Sequence, residues 1–147
     1  PSWMSLEVVS FGTLSKLYLM LESSEAKLSV AKRFGILRED IFINWLHAFS
    51  ELRNCCAHHN RVWNRRFMQI KLSYNTQRPF MSKEDIRTIR QNKLFAVVSA
   101  MKYMVDAIYP ENDFAERFKV LLQEPVVLRT YEEMGFPKGW QVLPIWR

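Results

Sequence analysis

Arg53 and His58 stand five residues apart in Glu51-Leu52-Arg53-Asn54-Cys55-Cys56-Ala57-His58-His59-Asn60-Arg61, the densest group of titratable and phosphate-binding side chains in the chain. Imidazole titrates near neutral pH and guanidinium grips phosphate oxygens in a planar fork, so the pair suits phosphodiester chemistry. At about 100° per residue, a helix puts His47, Glu51, Asn54 and His58 within roughly 60° of one another, and Arg53 about 140° from His58. One helix therefore does not set Arg53 against His58. Either the long arginine reaches around to a shared substrate, or a second protomer completes the site. The plain alternative for the ladder is a solvated helix face. His59 falls toward the apolar side by phase and reads as a structural histidine. Asn54, one turn before His58, either orients the imidazole, binds a phosphate oxygen or caps local backbone, and His47 and Glu51 are candidates for support.

Beyond the pair, Arg61, Trp63, Arg65, Arg66 and Phe67 interleave cations with rings, a pattern that can neutralise phosphates and stack on unpaired bases. The competing reading is a basic loop anchored by its aromatics, and for Trp63 burial is the expectation. Cys55 and Cys56 are neighbours, not a C-x-x-C pair, and no second ligand pair follows. No metal and no cofactor is expected.

These groups need a scaffold, and composition limits its kind. The 147 residues suffice for one domain with a core; 48% are hydrophobic and only four are glycine, which excludes low-complexity disorder and disfavours turn-rich β folds. A net charge of +6 favours a polyanionic partner. The longest apolar run, Leu94 to Tyr109, contains Lys102 and Asp106, so no membrane span is expected, and adjacent cysteines fit a reduced cytoplasm. The chain opens on Pro1 and is read as a fragment lacking an N-terminal region.

Periodicity predicts an all-α fold of about five helices. Ser2 caps the first, with Leu6, Val9, Leu14, Leu17 and Leu21 as its buried stripe and Gly12, in Ser10-Phe11-Gly12-Thr13, bending or interrupting it. Ser23 or Ser24 starts the second, which Gly35 ends. The central helix runs from about Arg38 to Asn60 on Ile41, Phe42, Trp45, Phe49, Leu52 and Cys56. Arg61 to Pro79 is a basic connecting segment. Ser82 opens a helix reaching Tyr109, with Lys93 at the edge of its stripe, and Asn112 or Asp113 caps another that Pro125 stops. A short helical piece near Val126 to Met134 precedes a tail pinned by Trp140 and Trp146.

The segment Leu52-Arg53-Asn54-Cys55-Cys56-Ala57-His58-His59-Asn60-Arg61-Val62-Trp63-Asn64 resembles the L-R-N-x-x-A-H-H-x-R-x-W-N signature of Abi-like (abortive infection) proteins, members of the HEPN superfamily. Pro1-Ser2-Trp3 with Ser10-Phe11-Gly12-Thr13-Leu14-Ser15, and Met134-Gly135-Phe136-Pro137 with Trp140 and Pro144-Ile145-Trp146, resemble its flanking elements. The resemblance implies a HEPN-type helical bundle over 1–147, a homodimer whose Arg and His from both protomers line one cleft, and a toxin-like, metal-independent endoribonuclease of phage defence. It makes Arg53 and His58 the catalytic pair and Asn54 their supporting polar residue, and His59, Asn60 and Arg61 match family positions assigned here to RNA; Arg65 and Arg66 join them from the basic pattern above, not from the resemblance. With His58 drawing the 2′-hydroxyl proton and Arg53 stabilising charge on phosphorus, the product would be a 2′,3′-cyclic phosphate. A non-cleaving RNA- or protein-binding module and a structural dimerisation domain are the rivals. Any antitoxin or regulatory RNA partner is left open.

Overall fold

The computed structural model describes residues 6, 8–125 and 130–147. Among these lie α1 (Phe11–Met20), α2 (Ser24–Arg33), α3 (Glu39–Ala57), α4 (Lys83–Thr88), α5 (Leu94–Ile108) and α6 (Phe114–Leu121), then 3-10 turns at Trp140–Val142 and Pro144–Trp146. The described residues form an all-α bundle with no strand. Serines set three helix starts: Ser10 accepts from the Thr13 N–H at 3.1 Å, Ser23 from Ala26 at 3.1 Å, and Ser82 forms a reciprocal capping box with Asp85. Each satisfies an amide that the first helical turn leaves unpaired.

The core lies where α3 and α5 face each other. Trp45 of α3 is fully buried, with the Phe80 and Tyr103 rings each 5.7 Å away between centroids. Phe95 of α5 gathers Phe136, Trp140 and Trp146 of the tail. Trp146 is fully buried and its Nε1 donates to Ser99 Oγ at 3.1 Å, so the terminus is a layer of the core, as its tryptophans predicted.

Several boundaries differ from the expectation. Leu6 and Val8 are helical but exposed, the helical run breaks at Val9 and Ser10, and the helix that restarts at Phe11 has a new phase, so Leu17 and Leu21 are exposed and Tyr18 turns inward; Ser2 lies outside the described residues. The expected interruption falls at Val9 and Ser10, just ahead of Gly12, which is itself helical. Gly12 permits close approach, since a Cβ there would stand 3.2 Å from Ser50 Oγ of α3. The single helix predicted from Ser82 to Tyr109 is broken between Thr88 and Leu94. There the carbonyls of Gln91 and Asn92 accept the N–H groups of Ile70 and Phe67, both at 2.9 Å, instead of extending a helix. In α3, Cys55 is buried and Cys56 exposed, the reverse of the predicted stripe. Of the expected piece from Val126 to Met134, 126–129 lie outside the described residues and 130–134 form turns.

Trp146→Ala should cost about 3–5 kcal/mol in urea unfolding by emptying an aromatic site; a loss below about 1 kcal/mol would mean that the tail does not complete the core.

Candidate functional site

The chemistry is carried on the last turns of α3 and on the turn that ends it. Ala57 is the last helical residue and His58 caps the helix. His59 then takes φ +52, with its N–H on the Cys56 carbonyl at 3.1 Å, while Asn60 N–H reaches the Cys55 carbonyl at 2.9 Å. These paired bonds form a Schellman turn, with histidine where glycine is usual. His59 is therefore exposed and off the helix, not the inward structural histidine that helical phase predicted. The buried Cys55 thiol lies 3.6 Å from the Asn60 carbonyl and 3.5 Å from that of Arg61, bracing the turn from inside.

Two adjoining concavities open along the polar face of α3. One, of about 310 Å³, is lined by Glu51, Cys55, His58, Asn60 and Arg65, together with His47, Ser50 and Asn54. The other, of about 570 Å³, shares His47, Ser50 and Asn54 and is bounded on its α1 side by Ser10, Thr13 and Lys16. The predicted ladder of His47, Glu51, Asn54 and His58 is thus one continuous wall. Ser50 was missed because it is a buried serine outside the ladder; Gly12 facing it was the available signal. Lys16 was missed because it lies outside the central motif. Arg53 lines neither concavity: its side chain is exposed and Nη1 donates to Asn54 Oδ1 at 3.2 Å.

The basic segment after His59 is held by its backbone. Asn44 donates to the Gln69 carbonyl at 3.1 Å and accepts the Lys71 N–H at 2.7 Å, and Trp45 Nε1 donates to the Lys71 carbonyl at 2.8 Å. Glu51 accepts the Met68 N–H at 2.9 Å, so part of its support is to fasten this segment onto α3. Phe67 and Ile70 are buried beneath it. Trp63, expected to be an anchor, is 44% exposed. It sits in the turn beside Asn64, which takes φ +49.

Lys93 explains that second turn and was not foreseen as a buried residue. It is only 8% exposed, and its Nζ donates to Asn64 Oδ1 at 2.8 Å. Burial, with the Arg90 and Arg66 cations beside it and Arg61 adding, holds its ammonium below the ordinary lysine range; Glu133 opposes them. Gly135 follows from the same lysine: at φ +87, a Cβ there would come within 2.6 Å of Lys93 Cβ. The Met134-Gly135-Phe136-Pro137 motif thus reaches the site through Lys93. Arg61 and Arg66 are exposed, whereas Arg65 faces the smaller concavity. Among the described residues, no three His, Cys, Asp or Glu side chains converge as metal ligands, and no helix is long and apolar enough to cross a membrane.

Residues 1–64 match the family model described as Abi-like protein, which bears out the resemblance carried by the first two motifs. The matched stretch ends at Asn64, so the Met134 to Trp146 motif lies beyond it. No curated protein and no solved structure matches the chain.

Two outcomes follow from this geometry. His59→Gly should stabilise the fold by about 0.5–1 kcal/mol in urea melts, because glycine occupies a left-handed position without steric penalty; a loss of stability would show that the side chain holds the turn. Lys93 still binds its proton in the unfolded chain at pH values where the folded chain has released it. Stability should therefore rise with pH in the alkaline range below the ordinary lysine value of 10.5. Melts from about pH 8 to about pH 10 should lose part of that rise in Lys93→Met; an unchanged slope would contradict the assignment.

Proposed function

We propose that residues 1–147 form one HEPN-type domain that acts as a cytoplasmic endoribonuclease in abortive-infection phage defence, a toxin-like hydrolase requiring no metal. The observation that carries this reading is the shared wall of Asn54 and His58, with basic residues on both sides, in a stretch that matches the Abi-like family. His58 takes the 2′-hydroxyl proton of the substrate. The freed oxygen attacks phosphorus, the bond to the 5′ oxygen breaks, and that oxygen takes a proton from water while His58 returns its own to solvent. Charge gathering on the phosphorus oxygens is met by Arg53, and Asn54 orients either the arginine or the phosphate. The products are a 2′,3′-cyclic phosphate and a 5′-hydroxyl. DNA, without a 2′-hydroxyl, is not cut.

The position of Arg53 favours a homodimer. Its guanidinium is exposed, hydrogen-bonded to Asn54 and outside both concavities, so a second copy can receive it in its own cleft. Leu17, Leu19, Met20 and Leu21 leave apolar surface on and beside α1, next to the larger concavity that Leu19 helps to line. His59, Asn60 and Arg61 reach RNA from the Schellman turn, and Arg65 and Arg66 from the segment beyond it, where exposed Trp63 can stack on a base.

Purified protein mixed with labelled RNA under chelator should yield fragments with cyclic-phosphate ends, and His58→Ala or Arg53→Ala should lower the rate at least ~100-fold while leaving the melting curve unchanged. A stable RNA complex without cleavage would instead mark a binding module.

A further inference from the structure

We propose that Arg65 and His58 form a phosphodiester-binding site within a single chain, in which Arg65 provides the ground-state grip and the role left to Arg53 is transition-state stabilisation from a second copy. The site deepens the RNA reading above and rests on it for the nature of the substrate. Both residues line the same concavity of about 310 Å³, which Arg53 does not reach. Arg65 Nε is buried and has no hydrogen-bond partner among the described residues. A buried guanidinium N–H calls for an acceptor, and two oxygens on one phosphorus match the fork that Nε and a terminal nitrogen present.

The arginine is also held in place. Its N–H donates to the Val62 carbonyl at 3.3 Å, the preceding Asn64 is gripped by Lys93, and the following Phe67 is buried with its N–H on Asn92. A side chain that leaves such a fixed backbone loses little freedom on gripping a ligand.

A dithymidine phosphodiester, uncleavable for want of a 2′-hydroxyl, serves as the probe, with the His58 imidazole NMR signals as readout. Arg65→Gln should weaken diester binding about tenfold and Arg53→Gln no more than about twofold. In RNA cleavage, Arg65→Gln should raise KM about tenfold at nearly constant kcat, while Arg53→Gln lowers kcat.

The proposal is overturned if the diester leaves His58 unshifted in the parent, if Arg65→Gln binds like the parent, or if Arg53→Gln loses as much as Arg65→Gln. Should Arg65→Gln not fold, Arg65→Lys keeps the charge without the fork, and parental diester affinity in it overturns the proposal equally. Diester binding through Arg65 in a protein that leaves RNA intact would remove the ribonuclease reading and keep the site.

Discussion

The segment from Asn64 to Lys71 has no helix or strand of its own, and the candidate site depends on what fixes it. Asn44, Trp45 and Glu51 of α3 bind its backbone on one side, and the carbonyls of Gln91 and Asn92 bind it on the other. Buried Phe67 and Ile70 supply the apolar weight beneath these bonds. A backbone without regular partners is stable only where side chains and neighbouring loops satisfy its polar groups. That requirement explains why α4 and α5 are separate helices: the carbonyls that a continuous helix would use are spent on this segment.

The same constraint sets the electrostatics. Holding Asn64 in a left-handed turn draws Lys93 into the interior beside Arg66, Arg90 and Arg61, which Glu133 only partly offsets. The resulting concentration of positive charge lies along the turn that presents Arg65 to the His58 concavity. Stability given up to bury a lysine among arginines is the kind of local cost found at binding sites. His59 adds to it by taking a backbone conformation that glycine occupies more easily.

Much of this was legible in the sequence. The apolar spacing of Ile41, Trp45, Phe49 and Leu52 marked α3, Ser23 and Ser82 marked two helix starts, and the tryptophans marked the docked tail. The ladder of His47, Glu51, Asn54 and His58 was visible because helical phase is local. What escaped was tertiary. No periodicity foretells that Gln91 and Asn92 lend their carbonyls to another segment, that Lys93 turns inward, or that Gly12 is small for the sake of Ser50. His59 was misplaced because the helix stops one residue earlier, at the His58 cap, and the phase argument does not hold beyond a helix end.

The account stands on a division between chains: His58 works on a phosphate held by its own protomer, and Arg53 serves its neighbour. Mixing inactive Arg53→Ala with inactive His58→Ala tests this directly. Each mixed dimer contains one site with both groups, supplied by different chains, and half of an equimolar mixture is mixed dimers, so RNA cleavage should return to roughly a quarter of the parental rate. Two variants that stay inactive after exchange of subunits would contradict the account and place Arg53 and His58 in the same chain's site.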